Sequence, residues 1–191
     1  MDRKEFFRRT LQLGLGCCAG AASEGFALAG EPTAPASLPS RELEAARHDA
    51  DFVRGWTSDL LDAMDQELPL ETRQKLVAAC GRGCYRRHAF KPAIAEKGRG
   101  DVARLVAAYA EMFECWRDGE SVHVRYGETS KHCYCPVVRD RPAKPSDLHC
   151  ECTRATHQSI FEAALGRPVP VEVVETLRRG GKTCHFVARL A

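Results

Sequence analysis

The chain has almost no net charge: 28 Lys and Arg stand against 26 Asp and Glu, a formal charge of +2. Both signs are interspersed, so composition gives no electrostatic case for nucleic acid or an anionic membrane as partner. An anchoring span is also lacking, because the apolar run from Leu11 to Ala22 is too brief and too rich in glycine to cross a bilayer stably. Neither G-x-S-x-G nor H-E-x-x-H occurs, which removes the motif basis for two large hydrolase groups. The cysteine spacings are not the C-x-x-C arms of a zinc ribbon. Cysteine is what the chain has in abundance, ten in 191 residues. A hydrophobic share of 44% can supply a real core, so the fold does not need those cysteines as staples.

Residues 2–8, with Arg3, Lys4, Phe6 and Phe7, resemble the twin-arginine export motif with lysine in place of the second arginine. Ala27, Leu28 and Ala29 form an A-x-A cleavage site, which predicts a signal peptide over residues 1–29 and a nearly neutral mature chain. Cys17 and Cys18 follow Gly14, Leu15 and Gly16, a poor match to a lipidation site. The expected location is the periplasm, the expected export partner the twin-arginine translocase. That route carries folded proteins, so a site filled in the reducing cytoplasm would meet metal before its thiols could be oxidised. Residues 30–40, holding Pro32, Pro35 and Pro39, read as a linker, and residues 41–191 as one cysteine-rich domain.

Within that domain, Leu43, Ala46, Ala50, Val53, Trp56, Leu60, Leu61 and Met64 form a helical stripe capped by Ser40 and running to about Glu67, which predicts a packing helix with His48 partly exposed. A second helix is predicted from Glu71 to about Cys84, ending near Gly81 and Gly83. A third opens at Asp101 and carries Val102, Leu105, Tyr109, Phe113 and Trp116, with Cys115 near its apolar face. Val122, Val124 and Tyr126 then alternate with His123 and Arg125, a half-buried strand with His123 toward solvent. A short helix over residues 156–165, with His157 exposed in its first turn, precedes a terminal hairpin of residues 169–174 and 183–190, in which Cys184 looks inward. The predicted class is α+β: about three N-terminal helices packed on an antiparallel sheet, with a short helix before a C-terminal β-hairpin.

The sulfur pattern centres on two H-C-x-C tetrads, residues 132–135 and 149–152. On extended strands Cys133 and Cys135 would share one face, as would Cys150 and Cys152, so pairing the strands would converge four thiols. Thiolates in that number suit zinc first and an iron–sulfur cluster second. His132 and His149 would point to the opposite faces and rank below the thiols. Cys80, Cys84 and Cys184 are reserve ligands. Arg86, Arg87 and His88, in a basic patch with Arg82 and Lys91, could meet a carboxylate-bearing ligand.

The run from Cys150 through Phe161, Glu162, Leu165, Gly166, Pro168, Val169 and Val171 to Gly180, Gly181, Cys184, Phe186 and Leu190 resembles the closing half of small bacterial proteins named as 2-amino-thiazoline-4-carboxylate hydrolase-like. It is similar, more distantly, to the 4-vinyl-reductase-type ligand-binding domains. The resemblance spans about Cys80 to Leu190 and implies helices on an antiparallel sheet with a ligand pocket between them. Three functions are therefore expected in order: an exported metal- or small-ligand-binding domain, a hydrolase of a thiazoline- or amide-like small molecule with a cysteine nucleophile, and a periplasmic protein stapled by disulfides without metal. For the hydrolase, Cys184 and His185 are adjacent in sequence but would point apart on a strand.

Overall fold

The computed structural model describes residues 40–190. The predicted signal peptide and all of the linker before Ser40 lie outside them. The chain divides into two units, residues 1–56 and 57–191. Helix α1, Ser40–Glu67, forms where its periodicity places it, yet none of its residues is buried, and Val53 and Trp56 are exposed. The stripe is therefore not packed in the way a core helix would be. Among the described residues no helix is long and apolar enough to cross a membrane.

The second unit is α+β. Four further helices, α2 (Leu70–Arg87), α3 (Phe90–Lys97), α4 (Val102–Ala110) and α5 (Cys150–Leu165), accompany strands β1 (Glu114–Asp118), β2 (Ser121–Arg125), β3 (Val171–Glu175) and β4 (His185–Arg189). The strands form one antiparallel sheet in the order β1-β2-β4-β3. Val122, Val124, Phe186, Ala188 and Val171 meet Leu105 and Tyr109 of α4 and Ile160, Phe161 and Ala164 of α5 in one core, which Ile94 and Ala95 of α3 complete. The region between helices and sheet is thus filled by large side chains.

Several boundaries differ from the sequence reading, each for a local reason. Helix α2 passes through Gly81 and Gly83 because both are buried in packing rather than exposed at an end. Helix α3 has no counterpart in the sequence reading; Pro92 is its third residue, where its missing N–H would have had no partner in any case. Asp101 caps α4 by accepting from the Arg104 N–H at 3.0 Å. That helix stops at Ala110, and Cys115 belongs to β1 rather than to a helix. The strand paired with β2 is β1, joined through Gly119 at φ 55°, not the segment of the first H-C-x-C. Between β3 and β4 the return is a 3₁₀ turn, Leu177–Arg179, ended by Gly180 at φ 90°.

Two histidines depart from their expected exposure. His123 lies partly covered on the outer sheet face, stacked on Trp116 with ring centroids 4.7 Å apart and Nδ1 3.0 Å from His185 Nε2. His157 is buried at the heart of the core, its Nδ1 3.1 Å from the Tyr109 hydroxyl and its Nε2 3.0 Å from that of Tyr126. A neutral ring offers one donor and one acceptor, so one tyrosine donates to it and the other accepts.

Burial drives the His157 pKa from 6.5 down to about 3, with the Lys91 charge acting in the same direction. Above the unfolded value the ring is neutral in both states and contributes no pH dependence. As pH falls from 6.5 toward 3 the unfolded chain takes up a proton that the folded chain refuses, so stability falls by at most ~1.4 kcal/mol per pH unit from this group. Denaturant midpoints measured from pH 7 to pH 4 should decline, and His157→Gln should decline less steeply; an equal slope in both proteins would remove His157 as the cause.

Candidate functional site

The site begins with a close approach between helices. A Cβ added at Gly81 would come within 2.2 Å of the Cys152 carbonyl oxygen and 2.9 Å of Ala155 Cβ. Only glycine lets α2 press so tightly on the first turns of α5. Thr156 Oγ1 fastens the contact by donating to the Gly81 carbonyl at 3.0 Å. On α2, Cys80 and Cys84 flank this point one turn apart, Cys80 exposed and Cys84 half-buried, and Cys152 sits in the first turn of α5.

The second H-C-x-C is therefore helical, not extended. Residues two apart on a helix diverge by more than a right angle, so Cys150 and Cys152 do not share a face. Cys150 is buried and its Sγ donates to Thr176 Oγ1 at 3.1 Å. Cys152 turns toward α2: burial pushes its thiol up to about 12, the nearby thiols of Cys84, Cys135 and Cys80 push the same way, and Lys91 opposes them. The first H-C-x-C lies in the loop between β2 and α5, outside any strand. The premise of two paired C-x-C strands does not hold, and the thiols that gather are drawn from α2, the loop and α5.

The loop is fixed by ordinary polar contacts. Ser130 N–H donates to the Lys182 carbonyl at 2.9 Å, and its hydroxyl donates to the Tyr126 backbone carbonyl at 2.9 Å. Further along, the buried Arg178 holds the segment by donating to Asp147 Oδ2 at 2.9 Å, to the Val138 carbonyl at 2.9 Å and to the Pro142 carbonyl at 2.8 Å. A guanidinium has five N–H donors in a fixed fork, which suits it to gather several acceptors of one loop. Asp147 Oδ1 then accepts the His149 N–H at 2.8 Å, so the entry to α5 is set by the same carboxylate.

These constraints put Cys135 beside His149, with Sγ and Nε2 3.1 Å apart. Burial raises the Cys135 pKa, and Cys133 and Cys84 raise it further, while the Val137 and Val138 N–H groups lower it. Burial lowers His149 to about 4 despite the opposing pull of Asp147. Both shifts favour a neutral thiol and a neutral imidazole. Cys133, half-buried, stands near enough to raise both Cys135 and Cys184. Cys184 does look inward, and burial raises it to about 11. His185 projects to the other sheet face toward His123, so the two neighbours make no nucleophile and base pair.

Lys91 enters from the first turn of α3, its Nζ 2.8 Å from Cys84 Sγ. Arg86, Arg87 and His88 are exposed at the end of α2, and His132 is exposed beside Tyr134. The sequence patch thus separates into one lysine turned to the thiols and three residues left in solvent. The signal for Lys91 was present only as its distance along the chain from Cys84; the short turn at residues 88–89 that folds α3 back was hidden by Pro92.

All eight cysteines of the described residues are free thiols. Among the described residues no three His, Cys, Asp or Glu side chains stand ready as a metal set. The cysteines named above form a loose gathering around Cys84 and Cys152, with Cys150 turned out of it.

Gly81→Ala should force α2 and α5 apart, cost about 2–3 kcal/mol in urea unfolding and loosen the thiol gathering. Gly55→Ala, which meets nothing within 4 Å in an exposed helix, should instead be neutral or stabilising by under about 1 kcal/mol. Equal effects of the two would contradict the close approach. Compared with protein-family models and with curated proteins, the chain matches none.

Proposed function

We propose that the unit of residues 57–190 is an exported metal-binding domain in which Cys84, Cys135 and Cys152 are thiolate ligands and Cys80 or Cys133 completes the set. The observation that carries this reading is that thiols from two helices and a loop, remote in sequence, come near enough for Cys84 to act on both Cys135 and Cys152, in a half-buried place with a single lysine beside Cys84. As thiolates such a group is costly without a cation. Soft sulfur donors suit zinc first and an iron–sulfur cluster second. The donors fit in chemistry, and side-chain movement would have to bring them into one set.

A coordinated thiol loses its proton outright, so a metal would reverse the upward shifts that burial imposes. Zinc held by four sulfurs supplies folding energy rather than catalysis. Cys150, bonded to Thr176, leaves the ligand set, and Cys184 stays in the core. Export by the twin-arginine translocase to the periplasm, with residues 1–29 as signal, would let the site fill before it met oxidant.

The hydrolase implied by the sequence resemblance finds one supporting distance, Cys135 to His149. A cysteine nucleophile needs a thiolate beside an imidazolium, however, and burial shifts both groups the other way. A small carboxylate ligand at Arg86, Arg87 and His88 would meet exposed, unorganised charges. Metal binding is the stronger reading.

Elemental analysis of the chain purified without chelator tests it. Zinc or iron should be present, and Cys84→Ser, Cys135→Ser and Cys152→Ser should each cut the metal content several-fold, whereas Cys150→Ser and Cys115→Ser should leave it unchanged. Metal-free wild-type protein that also takes up no added zinc would overturn the proposal, as would equal metal in all variants.

A further inference from the structure

We propose that Cys84 and Lys91 form a covalent sulfur–oxygen–nitrogen bridge when the metal-free thiol site meets dioxygen. Lys91 Nζ lies 2.8 Å from Cys84 Sγ. Reacting atoms held within about 3–3.5 Å are already at attack distance, and one bridging oxygen with ordinary single bonds spans a gap of this size. Both side chains stand on helices, Cys84 in the last turn of α2 and Lys91 in the first turn of α3. The short turn between them is closed by the Lys91 N–H donating to the His88 carbonyl at 2.9 Å. The pair is therefore pre-positioned rather than brought together by chance.

Lys91 is also unusual among the lysines of the described residues. It is partly buried, and no carboxylate lies within ion-pair reach of it; besides the sulfur, its ammonium meets the Phe90 ring at 5.6 Å. Most surface lysines keep their charge in water or on a carboxylate. This one is committed to a half-buried thiol.

The step balances with dioxygen as the oxidant once the Lys91 ammonium has given one proton to solvent: R–SH + R′–NH₂ + O₂ gives R–S–O–NH–R′ + H₂O. The S–H bond and one N–H bond break, and S–O and O–N bonds form. Sulfur and nitrogen each give up two electrons. One oxygen atom stays in the bridge, and the other leaves as water with both released hydrogens. The bridge removes a thiol and a cation from the site together and ties the end of α2 to the start of α3. It does not depend on the metal reading, because it forms in the unmetallated chain.

The test uses the full chain, stripped of metal under reducing conditions, then exposed to air and digested with trypsin. Peptides 83–86 and 88–97 should be recovered linked, about 14 Da heavier than the two reduced peptides together. Dithiothreitol should release them. The linked species should be absent from protein kept without oxygen and from Lys91→Arg, with folding checked by circular dichroism; Lys91→Gln serves if arginine does not fit. Recovery of Cys84 in a disulfide with another cysteine, as a sulfinic acid, or joined to Lys91 about 2 Da lighter without oxygen would overturn the bridge. A chain that binds no metal yet forms the link contradicts only the proposed function. One that binds metal when loaded but never forms the link when stripped contradicts only this inference.

Discussion

The contact that everything else hangs on is the one where helix α2 lays Gly81 against the backbone of Cys152. There is no space for a side chain at that point. Because the two backbones nearly touch, Cys84 on α2 and Cys152 in the first turn of α5 lie close enough for one thiol to act on the other. The bond from Thr156 to the Gly81 carbonyl gives the approach a fixed height along both helices. Apolar packing alone would press helices together but would leave their register free by fractions of a turn.

The loop that brings Cys135 is organised by different physics. Arg178 is buried with Asp147 and satisfies carbonyls of three loop residues, Val138, Arg141 and Pro142. An ion pair so deep is worth little as net stability, but it makes alternative loop conformations expensive, since each would leave a buried charge unpaired. Asp147 serves both Arg178 and the entry to α5, so the loop and the helix carrying Cys152 are positioned by one carboxylate. The sulfur contacts of Lys91 with Cys84 and of His149 with Cys135 are made within that frame. The loop and the two helices are thus held in place without help from the cysteines that lie between them.

Periodicity made much of the fold legible. The class, the existence of α1, α2, α4 and α5, the β2 strand and the terminal antiparallel pair all follow from spacing that the structure repeats. The failures are instructive because each has a tertiary cause. Gly81 and Gly83 read as a helix end, yet glycine inside a helix also marks the place where something must come close. Helix α3 was not read from spacing at all, and Pro92 in its first turn costs it no hydrogen bond. His157 read as polar surface, and only two tyrosines from α4 and the end of β2 make its burial tolerable. The cysteines were recognised as a group, but their partition was not: C-x-C on a strand chelates with both sulfurs, and C-x-C on a helix sends them to opposite sides. Whether residues 150–152 are strand or helix was decided by α2 and by Asp147, neither of which the local sequence announces.

X-ray absorption at the zinc edge of the zinc-loaded chain examines the central claim most directly. The account predicts a first shell dominated by sulfur at about 2.3 Å, three or more atoms in wild type, with one sulfur lost or replaced by a lighter atom in Cys152→Ser and the shell unchanged in Cys150→Ser. A first shell of oxygen and nitrogen alone, or a sulfur shell that shrinks with Cys150 and not with Cys152, would contradict it.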